Sequence, residues 1–460
     1  MIRLFKHHVS VGSVMVLTAD TVLLLGVVPL AVAMQGGGSG LMGALPPAVL
    51  FASLMLALNG SLGLYRRESG ASFGGHFGRV LLAVAIGMPA AYMLFSVTPQ
   101  GFEARSALGY AVVFTLCGLI LLRQIMFWAS TAGMGAKRVL IVGTGEEAAG
   151  VERALATLGY PSLAIVGFYP TGHDQDARAV AADRILPDAL PLSEIVAGLG
   201  VREVIVAVRE QRGGVLPLRE LIDCRIGGVP VTDLAGVYER VRGEVPIESL
   251  KASWLIYGQG FVQGGTRAFV KRTFDVVVSA VMLILTLPVM LATALAIRLE
   301  SPGPVIYRQE RVGLGGRRFT CLKFRSMCTD AEHDGVARWA IHADPRVTRV
   351  GRFIRKVRID ELPQLFNVLR GEMSFVGPRP ERPSFVNELK ETIPFYDVRH
   401  SVKPGVTGWA QVRYSYGASV EDARKKLQFD LYYVKNHSLF LDLLILVETV
   451  RVVLFREGAH

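Results

Sequence analysis

The sequence predicts a membrane protein in three parts: a transmembrane bundle of four helices, a cytoplasmic Rossmann-like α/β domain, and a mostly α-helical monotopic domain with a re-entrant membrane helix. The chain has 460 residues, more than one domain usually needs, and 51% of them are hydrophobic, above the share typical of soluble domains. The long apolar stretches lie in the first third and near residue 285. The expected boundaries are 1–135 for the bundle, 136–245 for the α/β domain, 246–267 for a linker and 268–460 for the last domain.

The bundle is predicted from four apolar stretches, each about long enough to cross a hydrocarbon core of about 30 Å. They are residues 12–34, 45–64, 79–97 and 107–129. The first has no A-x-A-like cleavage site and is expected to be retained. Basic residues flank the stretches on one side, at Arg3, Lys6, Arg66, Arg67, Arg79, Lys137 and Arg138, whereas the opposite loops carry only Glu103 and Arg105. The positive-inside rule therefore places the N-terminus and residue 137 in the cytoplasm.

The α/β domain begins with "KRVLIVGTGEEAAG", a strand followed by Gly143-x-Gly145-x-x-Ala148 and a helix. Further strand-like runs at 162–168 and 203–208 favour a small parallel sheet. The glycines are compatible with a bound pyrophosphate, but Tyr169 follows the second strand where an acid for the ribose is expected. Nucleotide binding and a regulatory or dimerising role both stay open for this domain.

A fifth apolar segment, 273–297, is long enough to span the membrane but contains Pro288. Proline removes one helical hydrogen bond and favours a bend, so the segment is expected to enter and leave by the same face. Thr286 could supply a hydroxyl to the carbonyls at the bend. A kinked spanning helix is the alternative. The last apolar stretch, 439–455, contains three charged residues and suits the membrane interface.

The chemistry is predicted from an acidic pair, Asp360 and Glu361, that follows a basic run at 344–358. Lys323 and Arg379 add cations from two other places in the chain. A helix cap with surface ion pairs is the simpler explanation. Cations from three places, however, suit a diphosphate, whose charge repels a carboxylate nucleophile. One acid could attack phosphorus while the other holds Mg²⁺, and the basic setting is expected to keep both ionised.

From about residue 268 the chain resembles the bacterial polyprenyl-phosphate phosphoglycosyl transferases, also called the bacterial sugar transferase family. The resemblance lies in KRTFD, SPGPVIYRQERVGLGGRRFTCLKFRSM, DPRVTRVGRFIRKVRIDELPQLFNVLRGEMSFVGPRP and KPGVTGWAQV. It implies transfer of a sugar-1-phosphate from a UDP-sugar to undecaprenyl phosphate, with release of UMP and dependence on Mg²⁺. It also implies that Asp360 is the nucleophile, that Glu361 binds Mg²⁺, and that Lys323, Arg355 and Arg379 contact phosphate.

The same resemblance implies that 273–297 is the family's re-entrant helix, with the active site at the cytoplasmic face of the bacterial inner membrane. Family members often have serine before the helix-breaking proline, whereas this chain has Leu287 before Pro288. The product would start a surface glycan such as an exopolysaccharide. The expected partners are the UDP-sugar, undecaprenyl phosphate, membrane lipid and a possible second copy of the chain.

Other classes of protein function fit this sequence less well. The net charge of +11 suits an anionic partner, but it adjoins apolar segments and no stacking-aromatic module is present, so nucleic acid is not expected. A membrane nucleotide-sugar dehydratase or epimerase needs Tyr-x-x-x-Lys, which the chain lacks. The four scattered cysteines favour neither a zinc site nor disulfides. A polysaccharide-assembly scaffold that only binds anionic lipid is the remaining alternative.

Overall fold

The computed structural model describes residues 2–4, 7–9, 11–36, 40–65, 73–98, 101–131, 137–157, 163–171, 179–187, 190–208, 216–247, 264–328, 346–414, 417 and 419–455. The described chain forms two compact units. The first extends to Gly243, apart from a few residues near the N-terminus, and the second begins at Glu244. The predicted site residues all belong to the second unit.

The first unit contains the predicted membrane helices. Its elements up to residue 131 are β1 (Ile2–Leu4), β2 (His7–Val9), α1 (Val11–Met34), α2 (Gly40–Ser61), α3 (Phe73–Val97), α4 (Gly101–Ser106) and α5 (Leu108–Thr131). The four long helices among them are apolar and long enough to cross a membrane. Their buried faces share a core that includes Leu24, Phe51, Met55 and Phe95.

A buried ion pair joins two of these helices. The Arg123 guanidinium on α5 donates to both Asp20 carboxylate oxygens on α1, at 3.0 and 2.7 Å. Charges inside a membrane bundle are costly unless they are paired, and the two parallel bonds pair the guanidinium with both carboxylate oxygens. This pair therefore fixes the register of α1 against α5, and the sequence analysis did not identify it.

The first unit also contains a four-stranded, all-parallel sheet in the order β4-β3-β5-β6. Its strands are β3 (Lys137–Val142), β4 (Leu163–Tyr169), β5 (Glu203–Val206) and β6 (Val231–Asp233), and its helices are α6 (Glu146–Thr157), α7 (Leu192–Gly198), α8 (Leu218–Ile226) and α9 (Leu234–Val241). Alternate residues of β3 belong to two separate cores, Val139 to one and Leu140 to the other. Both faces of the sheet are therefore covered, as βαβ connections require.

The glycine motif after β3 has a structural explanation. Gly143 has a φ of 118°, and a Cβ at this position would lie 2.7 Å from the Ala207 carbonyl oxygen. Only glycine fits this turn whether or not a ligand is present. Glu146 and Glu147 occupy the first turn of α6, where their charges disfavour a phosphate at the helix N-terminus.

The second unit is mainly helical, with two short sheets. Its helices are α10 (Gly265–Glu300), α11 (Arg349–Lys356), α12 (Gln364–Arg370), α13 (Pro383–Thr392), α14 (Trp409–Arg413), α15 (Val420–Asn436) and α16 (Leu439–Phe455). An antiparallel hairpin consists of β7 (Ile306–Val312) and β8 (Arg318–Phe324), and a parallel pair of β9 (Ser374–Val376) and β10 (Gly405–Thr407). The core centres on α15, where Tyr432 is fully buried and stacks on Trp409 at 5.9 Å. Val245, predicted as the last residue of the α/β domain, and Ile247, predicted as linker, are both buried in the same core.

The apolar segment 273–297 lies within α10, a continuous helix of 36 residues. By length and composition this helix could cross a membrane. The carbonyl that Pro288 deprives of a donor is that of Ile284, one turn before it. The Thr286 hydroxyl instead donates to the Met282 carbonyl at 2.7 Å, a bond of the kind that often accompanies a helix bend.

Both ends of α10 are bound to the segment that runs from α11 to α12. Near the start, Arg272 donates to the carbonyls of Val368 and Leu369 at the end of α12, at 2.6 Å each. At the other end, the Glu300 carboxylate accepts from the backbone N–H groups of Arg349 and Val350, which begin α11. Arg272 thus satisfies the last carbonyls of one helix and Glu300 the first amides of the other.

The middle of α10 also packs on this segment. Met290 and Ile297 share a small core with Ile354 of α11. The outward side chains of α10 are large and apolar, with Ile284 73% and Leu285 69% exposed. One side of the helix is therefore covered by protein, and the other presents a hydrophobic surface of the kind that membrane or partner contacts cover.

Replacing Gly351 by alanine is expected to destabilise the second unit by about 1–3 kcal/mol, because overpacking forces the backbone apart. An added Cβ on this α11 residue would lie 2.0 Å from the Ser326 carbonyl oxygen. Thermal unfolding in detergent measures the change. Gly265→Ala is the matched control, since a Cβ there meets no atom within 4 Å, and its melting temperature should be equal or slightly higher. Equal melting of the two variants would contradict the close packing of α11.

Candidate active site

The predicted acidic pair lies in a single 3₁₀ turn, Ile359–Glu361, between α11 and α12. Arg358, the residue directly before this turn, has the left-handed conformation, with a φ of 62°, and so turns the chain sharply before the two acids. Asp360 and Glu361 are each only 8% exposed. Neither carboxylate caps a helix, because the residue before α12 is Pro363 and no side-chain cap is present. The helix-cap hypothesis therefore does not account for the pair.

Glu361 is bound by two of the predicted cations. Its Oε1 accepts from Lys323 Nζ at 3.0 Å and from Arg379 Nη2 at 2.8 Å. Lys323 comes from β8 and Arg379 from the Pro-Arg-Pro loop after β9. Burial alone raises the pKa of a carboxyl group, but Arg379 and Lys323 outweigh it and hold the pKa of Glu361 well below its usual value. Glu361 is ionised at neutral pH, as expected.

Asp360 differs from its neighbour. Its Oδ1 is buried and accepts no hydrogen bond from any described residue. Burial, and next the charge of Glu361, raise the pKa of Asp360 above its usual value, against the partial opposition of Lys323. The sequence predicted that the basic setting keeps both acids ionised, and the two acids differ in how strongly that setting acts, because the cations bond to Glu361. The result is one stabilised carboxylate beside one with an unsatisfied oxygen.

Arg355 and Arg358 stand in different relations to the acidic pair. Arg355 lies half-buried on the last turn of α11, and in the described part of the chain it forms no ion pair with Asp360 or Glu361. The charge of Arg358, which the sequence analysis named only within the basic run, lowers the pKa of both acids. The first residues of that run, 344 and 345, lie outside the described residues.

Arg379 is positioned by side chains that the sequence analysis missed. The buried Arg399 donates to the Arg379 carbonyl at 2.9 Å and is itself held by Asp430 at 2.8 Å. On the next residue, the Pro380 carbonyl accepts from Arg311 at 3.0 Å. Two arginines thus hold the backbone of the loop from which Arg379 reaches Glu361.

Lys323 and the acidic pair are connected through Asn367. This fully buried α12 side chain accepts from the Leu322 N–H at 3.0 Å and donates to the Thr320 carbonyl at 2.7 Å. Both partners belong to β8, so the helix that follows the acids and the strand that carries Lys323 are fixed together. A local sequence pattern gives no sign of such a pairing across the fold.

Comparison with known proteins covers this site. Residues 266–456 match the family described as bacterial sugar transferase. The UDP-glucose:undecaprenyl-phosphate glucose-1-phosphate transferase of Xanthomonas campestris pv. campestris is 33% identical over 404 residues, which are 84% of this chain and 80% of that protein. The chain belongs to the bacterial sugar transferase family. Asp360, Glu361, Lys323 and Arg379 all lie within the matched region of the transferase.

Two further relatives of the transferase carry related names. The UDP-galactose-lipid carrier transferase of Erwinia amylovora is 34% identical over 349 residues, 70% of this chain and 69% of that protein. The UDP-N-acetylgalactosamine-undecaprenyl-phosphate N-acetylgalactosaminephosphotransferase of Aeromonas hydrophila is 47% identical over 242 residues. That match spans 53% of the transferase and only 56% of the Aeromonas protein. The family assignment excludes the dehydratase and epimerase alternative.

Proposed function

We propose that the transferase moves a sugar-1-phosphate from a UDP-sugar to undecaprenyl phosphate, and so starts a surface glycan such as an exopolysaccharide. The observation that carries the proposal is the division of the acidic pair: Glu361 holds Lys323 and Arg379, while Asp360 keeps a buried oxygen that accepts no hydrogen bond from a described residue. The names of the Xanthomonas and Erwinia relatives support the classes of donor and acceptor.

In the first step, an Asp360 carboxylate oxygen attacks the donor phosphorus that carries the sugar. The bond from this phosphorus to the bridging oxygen breaks, and UMP leaves with the electron pair. An aspartyl phosphosugar remains on the enzyme. Lys323 and Arg379 stand within 3.0 Å of the neighbouring Glu361, where they can neutralise charge that develops on the phosphoryl oxygens.

In the second step, a phosphate oxygen of the lipid attacks the same phosphorus. The acyl phosphate bond breaks, Asp360 is released as a carboxylate, and the sugar is now attached to the lipid through a diphosphate. Each step exchanges one phosphoanhydride-type bond for another, so the reaction needs no other energy source. An unbonded carboxylate oxygen suits both steps, because no hydrogen bond has to break before attack.

Mg²⁺ fits the acidic pair as a cofactor. The described residues contain no group of three His, Cys, Asp or Glu side chains that could enclose a metal. Mg²⁺, however, usually takes only one or two protein carboxylates, together with substrate phosphates and water. Glu361 would hold it through the oxygen that Lys323 and Arg379 leave unbonded, beside the unsatisfied Oδ1 of Asp360. When bound, the ion would neutralise charge on the diphosphate.

The proposal places α10 in the cytoplasmic leaflet of the inner membrane as a re-entrant helix. Support comes from Arg272 and Glu300, which bind both ends of the helix to the same segment of one domain. A straight helix that crossed the bilayer would place its two ends at opposite faces of the membrane, because an α-helix lengthens by about 1.5 Å for each residue. Pro288 near the middle favours a bend, and the exposed apolar side chains suit lipid. The lipid substrate would thus meet the acids at the membrane surface.

Transfer of radiolabel from a panel of UDP-sugars to undecaprenyl phosphate, in purified membranes with Mg²⁺ or EDTA, tests the proposal. We expect lipid labelling from at least one donor, with loss on chelation. Labelling that survives chelation would contradict the role of Mg²⁺. If no donor labels lipid, the scaffold hypothesis replaces the transferase hypothesis.

As the pH is lowered, the rate of transfer is expected to start falling at a higher pH than it would if the nucleophile were an aspartate with an ordinary pKa. The nucleophile must be ionised, and burial together with Glu361 raises the pKa of Asp360, so activity is lost as pH falls through that raised value. The pH profile of kcat/KM measures it. In Glu361→Gln the acid limb of this pH profile should move to lower pH, because the negative charge of Glu361, one of the two causes of the raised pKa of Asp360, is gone. A limb that stays in place would contradict the coupling of the pair.

A further inference from the structure

Two cations meet over Gly371, the residue that follows α12. A Cβ added to this glycine would lie 3.6 Å from Arg272 Nη2 of α10 and 3.6 Å from Lys403 Nζ, and these two side chains supply all three of its nearest atoms. Gly371 has a φ of 87° and no side chain of its own to fill the space between the cations. The two nitrogens are no more than about 7 Å apart, so the oxygens of one phosphate group can contact both.

Neither cation is paired with an acid in the part of the chain that the structure describes. The Arg272 guanidinium donates to the carbonyls of Val368 and Leu369, and Lys403 forms no hydrogen bond or ion pair with a described residue. Burial, and next the charge of Arg272, lower the pKa of Lys403. Both side chains are half-buried and so remain partly exposed. Two like charges are therefore held together without an anion between them.

The acids in this part of the fold are engaged with other groups. Asp275 accepts from Lys271 at 2.9 Å and from two groups of β9 at 3.1 Å each. Asp442 lies 3.0 Å from the same Lys271 ammonium. Glu372, directly after Gly371, accepts from the Asn367 amide at 2.7 Å. An anion that neutralises Arg272 and Lys403 would therefore have to come from outside the described chain.

The two cations stand where the apolar part of α10 begins. Arg272 directly precedes the apolar segment 273–297, and Phe269 and Val270 on the preceding turn are 72% and 42% exposed. Arg370, directly before Gly371, is exposed and adds a further positive charge. When α10 lies in the cytoplasmic leaflet, this level of the fold is that of the phospholipid headgroups, and a surface of anionic lipids attracts Lys and Arg.

We propose that Arg272 and Lys403 bind the phosphate of an anionic phospholipid headgroup over Gly371, at a site separate from the catalytic acids. The inference rests on the proposed function, through the placement of α10 in the membrane. The seven residues of α12, about 10 Å of helix, lie between Gly371 and the turn that carries Asp360. A phosphate over Gly371 would not reach Asp360, so the lipid bound there is not the acceptor in its reacting position. Because Arg272 also binds the end of α12, this headgroup would fix the depth of the domain in the membrane.

Native mass spectrometry of the full chain in detergent, titrated with phosphatidylglycerol or with phosphatidylcholine, tests the inference. In Lys403→Gln one phosphatidylglycerol site of the wild type should weaken about fivefold, the effect of one cation at an anionic membrane surface. Binding of phosphatidylcholine should not change, and Lys403→Arg should retain the site. Lys390→Gln is the matched control, because it removes the same charge from an α13 lysine that is 36% exposed and paired with Asp397 at 2.6 Å.

Thermal unfolding separates loss of the site from loss of the fold. Lys403→Gln should melt at an equal or higher temperature than the wild type, since burial and Arg272 already disfavour the charge of Lys403 in the folded protein. Equal affinity of wild type and Lys403→Gln for phosphatidylglycerol, with an active wild type, overturns the inference alone. If Lys403→Gln weakens only the binding of inorganic phosphate or of undecaprenyl phosphate, the phospholipid is the wrong occupant and the inference is also overturned. A wild type that transfers sugar phosphate from no donor overturns the proposed function, whatever its affinity for lipid.

Discussion

Replacing Asp360 by asparagine is expected to lower transfer by about 10⁴-fold or more, because the amide has the shape of the nucleophile without its charge. The fold should not suffer. The Asp360 oxygen Oδ1 has no hydrogen bond to a described residue to lose, and burial and the charge of Glu361 both disfavour the ionised form of Asp360 in the folded protein. The melting temperature should therefore be equal or higher, which separates catalysis from stability. Lipid labelling and thermal unfolding in detergent measure the two effects.

The matched control for this prediction is Glu310→Gln. Glu310 is a surface carboxylate, 56% exposed, whose ion pair with Arg318 spans 3.4 Å, and its loss should change transfer by less than about twofold. A second readout is direct: donor alone, without lipid, should leave labelled sugar phosphate on the wild-type chain but not on Asp360→Asn. If Asp360→Asn labels lipid as fast as the wild type, another group is the nucleophile.

Replacing Arg379 by methionine is expected to lower kcat/KM by about 10²–10³-fold, the usual effect of removing one group that stabilises charge in a transition state. Arg379 also lowers the pKa of the proposed nucleophile Asp360, so its removal should raise that pKa further. The variant should therefore lose activity at a higher pH than the wild type on acidification. Kinetics across pH measure both effects.

Arg318→Met is the control for this second prediction, because Arg318 is 62% exposed and contacts only the surface carboxylate of Glu310 among its described ion pairs. Combining Arg379→Met with Glu361→Gln shows whether the two residues act together. If they do, the double variant should be little worse than the poorer single variant. A fall of less than about fivefold for Arg379→Met would contradict its role at the phosphate.

The features that the sequence predicted well depend on local patterns. An apolar run of about 20 residues predicts a membrane helix without knowledge of its neighbours, and the four bundle helices lie where these runs are. Three strands of the parallel sheet, β3, β4 and β5, follow from short β-rich runs in the same way, whereas β6 was not predicted. The motifs around Asp360, Lys323 and Arg379 indicated that these residues act together, and the structure places the two cations on Glu361.

The features that the sequence did not predict depend on distant contacts. The different roles of Asp360 and Glu361 follow from which of the two carboxylates the cations contact. Two acidic residues that are adjacent in the sequence give no indication of which one that is. Asn367 and Arg399 acquire their importance from partners on other elements, and their own surroundings in the chain are unremarkable in composition. The contact of Arg355 with phosphate, which the family resemblance implies, stays a prediction.

The paired cations on Glu361 have a consequence for the enzyme without substrate. Lys323 and Arg379 are brought to one buried carboxylate oxygen, so their mutual repulsion is already balanced before any diphosphate arrives. The negative charge of Glu361 thus has the same effect on the two cations as the negative charge of a bound ligand would have. If a diphosphate binds here as proposed, it would share Lys323 and Arg379 with Glu361, and the two cations would not have to be brought together first.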